Sequence, residues 1–306
     1  MRTYRFKLKP AGPWCTPWHA DTLFAALCWQ VRSLDGGSEL QRMLRQFCAG
    51  EPPFVLSDAF PDGWLPCPLS AKLQELPQSN VQSKPPAWLP ESRFRAVTNG
   101  NGGAIPAQMD EWPEPIGESR DLHASIDRRS GTTGSSGRLF EIETSFLQKL
   151  DAAGSDKLAL YLRTDDRERV ARLLHSLSTV GFGKKRSSGK GGFQMEHEAE
   201  PCDWMDNSSG ANAFVSLSHF VPSSQDPVDG CWRLLTKYPK FSPGVPAASP
   251  FKGRLVMLRP GSVFRTTGPV RHFYGTMLTG ISQSFPEAVH YGLCFPVPIR
   301  WPEEEV

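Results

Sequence analysis

The sequence predicts an α+β protein in two units, and three observations carry that prediction. The first is a strand–helix–strand order within the first 61 residues. The second is a strand–strand–helix–loop–strand order between Arg138 and Pro201. The third is the final hundred or so residues, where short apolar alternations recur and helical periodicity is weak.

In "RTYRFKLKP", residues 2–10, Tyr4, Phe6 and Leu8 face one way and Thr3, Arg5, Lys7 and Lys9 the other, the period of a half-buried strand with a cationic outer face. "TPWHADTLFAALCWQVRSL" then sets Leu23, Phe24, Leu27, Cys28, Val31 and Leu34 at helical spacing, with Asp21 or Thr22 near the helix start. "PPFVLSDAFP" reads as the second strand. From Pro77 to Gly137 the patterning is lost among Pro, Gly, Ser and Asn, and a segment of that length is expected to be a functional or mobile arm.

"RLFEIETSFL" and "KLALYLRT" read as strands, and "DDRERVARLLHSLSTV" lines Val170, Leu173, Leu174, Leu177 and Val180 along one helical face. "FQMEHEAEP" closes this first unit as a strand. Residues 1–205 thus approximate the β-α-β-β-α-β ferredoxin-like arrangement, with 77–137 as a long insertion. Residues 206–306 are expected to form a smaller α+β or β-rich unit from "AFVSLSHFVP", "GRLVMLRPGSVFR", "RHFYGTML" and "HYGLCFPVPIRW".

The net charge of +2 argues for no class of partner, so any case for nucleic acid rests on how the charge is clustered. Seven cysteines without a CxxC spacing or a Cys/His zinc pattern point to a reduced cytosol rather than a disulfide framework. The N-terminus lacks an apolar core of signal-peptide type and no window is long and apolar enough for a bilayer, so a cytoplasmic protein without membrane contact is expected.

The cationic cluster is "GFGKKRSSGKGG", residues 181–192, with five glycines, four cationic side chains and no acid. It is not a Walker A loop: five residues separate Gly183 from Gly189, and Lys190 is followed by Gly191 rather than by a hydroxyl residue for Mg²⁺. It is not a dinucleotide fingerprint either, because it follows a helix, whose C-terminal dipole opposes an anion. A surface turn bathed in water is the ordinary reading of a charge run, but such a turn needs only one or two glycines. The expectation is a close-approach surface for an extended polyanion, with Lys184, Lys185, Arg186 and Lys190 supplying charge and Gly181, Gly183, Ser187, Ser188, Gly189 and Gly191 exposing main chain.

"GFGKKRSSGKGGF" after an amphipathic helix resembles the glycine-rich loop of the RAMP superfamily of CRISPR systems. "TPWHADTLFAALCW", "PFVLSDAFPDGWLPCPL", "HASIDRRSGTTGSSGRLFE" and "HYGLCFPVPI" narrow the resemblance to the fourth-subunit family of type III-A Csm effectors. The resemblance implies two ferredoxin-like, RRM-related RAMP domains and a non-catalytic, RNA-binding role in antiviral defence, without cofactor, metal or small-molecule substrate. It implies that the protein holds the crRNA 5′ handle and bridges the large polymerase-type subunit to the backbone RAMP filament. Carried onto this chain, the loop would meet handle phosphates, and His123, Arg128 and Arg129 would lie on an arm reaching RNA or the neighbouring backbone subunit. His19, in "WHADT", would sit where the family also approaches RNA.

The competing reading is a metal-independent RAMP endoribonuclease for crRNA maturation, with His19 or His123 as general base. A histidine at a helix start more often caps or packs. Asp58 and Asp127 are too far apart in sequence to suggest a metal site, and Asp127 beside Arg128 and Arg129 suggests a salt bridge. Trp29 is expected to pack, whereas Trp14, Trp18 and Trp64 could stack on bases. "PEEEV" reads as a solvated tail.

Overall fold

The computed structural model describes residues 1–69, 86–101, 114–133, 139–148, 155–196, 198–241 and 250–301; the acidic tail and parts of the 77–137 segment lie outside these. The chain opens with β1 (Arg2–Pro10), α1 (Ala20–Asp35), α2 (Gly37–Cys48), β2 (Phe54–Pro61) and β3 (Trp64–Pro66). There follow β4 (Trp88–Pro90), α3 (Glu91–Thr98), β5 (Ile116–Ala124), β6 (Leu139–Leu147) and β7 (Leu158–Thr164). Next come α4 (Arg167–Val180), β8 (Phe193–Met195) and β9 (Glu200–Pro201). The remainder is built from short strands: β10 (Ala213–Ser216), β11 (Gly230–Cys231), β12 (Leu234–Lys237), β13 (Leu255–Leu258), β14 (Val263–Arg265), β15 (Tyr274–Gly275), β16 (Leu293–Cys294) and β17 (Pro296–Ile299). Mixed helix and sheet is the α+β class expected.

The main sheet runs β2–β7–β1–β8, with β9 also paired to β1, and every pairing is antiparallel. β7 is buried along its whole length, which explains the near-continuous apolar run "LALYL". One face of the sheet, with Phe6, Leu8, Leu56, Leu160 and Leu162, packs on Leu23 and Leu27 of α1 and Leu173, Leu174 and Leu177 of α4. The other face, with Val55, Ala159 and Tyr161, packs on Phe295 and Val297 from the C-terminal strands. Those strands form a second antiparallel sheet, β11–β14–β10–β17. Among the described residues no α-helix follows α4.

Arg163 at the end of β7 ties the two sheets together. Its buried guanidinium donates to Asp206 Oδ1 (3.0 Å), to the His272 carbonyl (2.6 Å) and to the Pro296 carbonyl (3.2 Å), and lies 4.6 Å from the Phe295 ring centre.

Several expectations are corrected. The segment taken as unpatterned contains β4, α3 and β5. α3 is only eight residues long, and β5 is exposed on both faces after Gly117, so neither leaves a period to read. The outer face of β1 is not a free cationic surface. Arg5 pairs with Glu91 and Glu200, Lys7 with Glu200, and Lys9 with Asp156. Leu34 and Val180 end their helices exposed, and Trp29 is 44% exposed with the Arg32 guanidinium 5.5 Å from its ring centre. Trp14 and Trp18 are buried, which removes them as platforms for bases; Trp64 is half-buried in β3.

Candidate nucleic-acid interface

The glycine-rich loop is a lobe with a closed neck. α4 stops because Gly181 turns to φ +77°, with its N–H donating to the Leu177 carbonyl (2.9 Å). Three main-chain bonds then shut the neck: Phe182 N–H to Gly191 O (2.8 Å), Gly191 N–H to Pro13 O (3.0 Å) and Ala11 N–H to Gly192 O (2.8 Å). The Phe182 ring is buried and stacks on Trp18 at 4.4 Å. Beyond the neck, residues 184–189 are exposed.

Besides Gly181, which ends the helix, two of the five glycines are required by the protein itself. A Cβ on Gly191 would lie 2.0 Å from the Phe182 carbonyl oxygen, and one on Gly183 would lie 2.5 Å from Thr16 Cβ. Both also hold positive φ, which favours glycine. Gly189 has positive φ and open space around it. The number of glycines therefore does not by itself call for a bulky partner. Much of the main chain is also committed: the N–H groups of Lys184, Ser188, Gly189 and Lys190 donate within the lobe or to Thr16. What the lobe presents outward is chiefly its side chains. Lys185, at φ +62°, is the only non-glycine residue with positive φ among those described, and it lies at the head of a 3₁₀ turn, Arg186–Ser188.

The lobe touches the ribbon formed by β5 and β6. Lys190 Nζ is 3.6 Å from Asp121 Oδ2, and Lys185 Nζ is 5.6 Å from the Phe140 ring centre. The ribbon is anchored at its base by reciprocal main-chain bonds between Trp14 and Ser145 (2.9 and 2.8 Å). Past that anchor it stands in solvent. His123 pairs with Phe140 across the ribbon, with ring centres 5.7 Å apart, and Leu122 and Leu139 are exposed beside them. Arg128 and Arg129 are exposed in the turn beyond. Asp127 does not form the salt bridge expected of it; its carboxylate accepts from the Arg129 main-chain N–H (2.8 Å) and shapes the turn. Sequence reading missed Asp121 and Phe140, because their roles arise from contact between segments far apart in sequence.

His19 stands apart from this surface, at the start of α1. Lys237 Nζ donates to His19 Nδ1 (3.1 Å) and to both oxygens of Asp21 (2.7 Å each). The His19 and His219 rings lie 4.0 Å apart, and Asp58 accepts from His219 Nδ1 (2.5 Å) and from the Ala20 N–H (2.8 Å). Burial pushes the His19 imidazole down to about 4, against the pull of Asp58. Burial would raise the Asp58 carboxyl, but His219 and His19 and the Ala20 N–H hold it below the usual range.

One ligand atom each from His19, Asp58 and His219 lies within 4.8 Å of the others, a set that could hold a metal ion. The Lys237 ammonium on His19 and the His219 proton on Asp58 work against a cation there. His123 lies on the ribbon, so the two histidines weighed as bases are on different elements.

No family model matches the chain. A Streptococcus thermophilus protein described as "CRISPR system Cms protein Csm4" is 26% identical over 269 residues, covering 79% of this chain and 84% of the relative. A Thermococcus onnurineus protein of the same description is 25% identical over 317 residues, covering 97% and 96%. The chain is similar to Csm4. That bears out the resemblance to the RAMP subunit of type III-A effectors read from the sequence. Among solved structures, a chain of a Csm1–Csm4 cassette in complex with cA4 superposes with a TM-score of 0.62 at 17% identity, covering 99% of this chain and all of that one. A chain of a Csm3–Csm4 subcomplex of the type III-A interference complex gives 0.59 at 12% identity, covering 98% of this chain and all of that one. At these identities the superpositions establish the fold shared with Csm4-containing assemblies. No helix among the described residues is long and apolar enough to cross a membrane.

Proposed function

We propose that this chain is the Csm4-type subunit of a type III-A CRISPR effector, working in the cytoplasm to hold the crRNA 5′ handle without catalysing a reaction. The observation that carries the reading is the exposed cationic lobe, 184–189, held outward by a closed neck and abutting the β5–β6 ribbon through Lys190. Lys184, Lys185 and Arg186 form the phosphate-contacting set, and Ser187 and Ser188 add hydroxyl donors. The exposed His123–Phe140 pair offers ring faces on which splayed bases can stack, with Arg128 and Arg129 reaching the strand further out.

In this reading residues 1–205, with the 77–137 insertion, and residues 206–306 are the two RAMP units, each of ferredoxin-like descent. The ribbon and the C-terminal unit provide the surfaces toward a backbone RAMP subunit and the large polymerase-type subunit. The similarity to Csm4, and the naming of Csm1 and Csm3 beside it in the related assemblies, supports those partners. His19 serves cohesion rather than catalysis, because its Nδ1 is committed to Lys237.

A photo-crosslinking amino acid at Arg186 in the assembled effector tests the reading. Crosslinks confined to the repeat-derived 5′ end of the crRNA are expected. Crosslinks to the guide region, or to protein alone, would overturn it.

A further inference from the structure

A polar crevice lies at the other end of β1 from the lobe. The lobe's neck closes on Ala11, just past Pro10, whereas the crevice sits beside the 203–206 turn, which bonds to Arg2 and Thr3. Nine residues of strand separate the two by about 30 Å. The crevice, about 160 Å³, is formed where α3, the segment after the 203–206 turn and the end of β17 converge. Two guanidinium groups, Arg95 and Arg300, line it together with Asn99, Asn207 and Ser209, and among the described residues no carboxylate lines it.

Both arginines are positioned. Arg95 lies 4.4 Å from the Trp204 ring centre and is tethered by Glu91 one helical turn away. Arg300 is held by its Nε and Nη2 donating to the Ser209 carbonyl (3.3 and 3.1 Å) and by its main-chain N–H donating to the Thr98 carbonyl (2.9 Å). Two glycines make room for it. A Cβ on Gly210, at φ +67°, would lie 3.1 Å from Arg300 Nε, and one on Gly100, at φ +92°, would lie 3.5 Å from Arg300 Cβ. Among the described residues no carboxylate pairs with Arg300. The Asn207 carbonyl oxygen accepts from the Ser209 N–H (3.1 Å), which leaves its NH₂ group as a further donor.

One guanidinium unpaired with any described carboxylate, Arg300, a second, Arg95, shared with Glu91, and amide and hydroxyl donors beside them are the complement of a tetrahedral anion. The volume is below the roughly 300 Å³ at which sites for larger ligands begin, so it suits a phosphate or sugar-phosphate group rather than a whole base and ribose. We infer that this crevice is a phosphate-binding site separate from the glycine-rich lobe. The phosphate comes either from a free nucleotide or from the backbone of a single-stranded RNA; the site's existence does not depend on the handle-binding reading.

The test is calorimetric titration of the full chain with inorganic phosphate, with AMP and with a short unstructured RNA at several salt concentrations. Four proteins are compared: wild type, Arg300→Gln, Gly210→Ala, which keeps the charge but displaces the guanidinium, and Arg95→Gln, whose exposed position spares the fold. Wild type is expected to bind AMP or phosphate, with about tenfold weaker binding in Arg300→Gln and Gly210→Ala, the loss expected for one charge-assisted hydrogen bond. Binding of RNA alone, with a salt slope lower by about 0.7 in Arg300→Gln and Arg95→Gln, assigns the phosphate to an RNA backbone. A wild type that binds neither AMP nor phosphate, with the RNA salt slope the same in all four proteins, overturns the inference. Weakened AMP binding on replacing Lys184, Lys185 and Arg186, with Arg95→Gln and Arg300→Gln unaffected, also overturns it, since the anion would then sit on the lobe.

Discussion

The sharpest consequence of the lobe geometry is electrostatic. Consider the combined replacement Lys184→Ala, Lys185→Asn, Arg186→Ala. Asparagine is chosen at 185 because the residue sits at φ +62°, a conformation asparagine tolerates better than alanine. All three side chains are exposed, and none of their charges is paired with a carboxylate among the described residues. Thermal stability should therefore be unchanged apart from the loss of the Lys185–Phe140 contact. Single-stranded RNA contributes a salt slope of about 0.7 per phosphate contact, so removing three contacts should lower the slope by about 2. Over a fourfold rise in salt that difference amounts to a factor of about 16 in affinity. Fluorescence anisotropy with an RNA carrying the repeat-derived 5′ end, measured at several ionic strengths, reads the slope directly. An unchanged slope, whatever the affinity at one salt concentration, would refute phosphate contact by these side chains.

Three further outcomes follow from packing. Gly191→Ala should destabilise the protein far more than Gly189→Ala in chemical denaturation. The first drives a Cβ to 2.0 Å from the Phe182 oxygen, while the second meets open space and carries only the left-handed backbone cost of about 1 kcal/mol. Asp206→Ala strands the buried Arg163 guanidinium and should cost about 3–5 kcal/mol by denaturant titration, whereas Asp203→Ala, which loses only an exposed, solvent-screened pair with Arg2, should cost far less. Stability should fall as pH drops from about 6.5 toward 4. His19 is held neutral when folded, so the unfolded chain binds the extra proton across that window. The gap between 6.5 and about 4 corresponds to about 3 kcal/mol at most. His19→Gln should flatten the profile of thermal midpoint against pH in that window, and a slope equal to wild type would show that His19 is not responsible.

The main sheet was legible because its strands and two long helices bury one face or both. β1, α1 and α4 each carry a clean period and β7 a continuous apolar run, and the order in which they follow one another is legible in the sequence. α2 was missed although Leu40, Met43, Leu44 and Phe47 stand at helical spacing, a signal available in the sequence but diluted by seven polar or glycine residues. β5 left no signal at all, since nearly every side chain after Gly117 is exposed and nothing forces alternation. In the C-terminal third the alternations correspond to strands of only two to four residues, too short to fix their ends or their pairing from the sequence. The cationic lobe was visible in the sequence, but its contacts with Asp121 and Phe140 were not, because they depend on which ribbon the fold brings beside it.

The structure also changes the reason for trusting the lobe. Counted in the sequence, five glycines suggested a main chain bared for a ligand. In the fold, Gly183 and Gly191 are there because Thr16 and Phe182 leave no room for a side chain, and Gly181 because the helix must stop. Glycines so used say nothing about a partner. The cations carry the argument instead: a neck that needs only compact residues has a tip bearing three side-chain charges, held in solvent and away from acids. Packing gains little from that arrangement beyond the Lys185–Phe140 contact, and one of the three, Lys185, occupies a backbone conformation that costs about 1 kcal/mol for a residue with a Cβ. The proposed function accounts for that arrangement: binding a polyanion would recover the backbone cost of Lys185, whose ammonium lies 5.6 Å from the ring centre of Phe140.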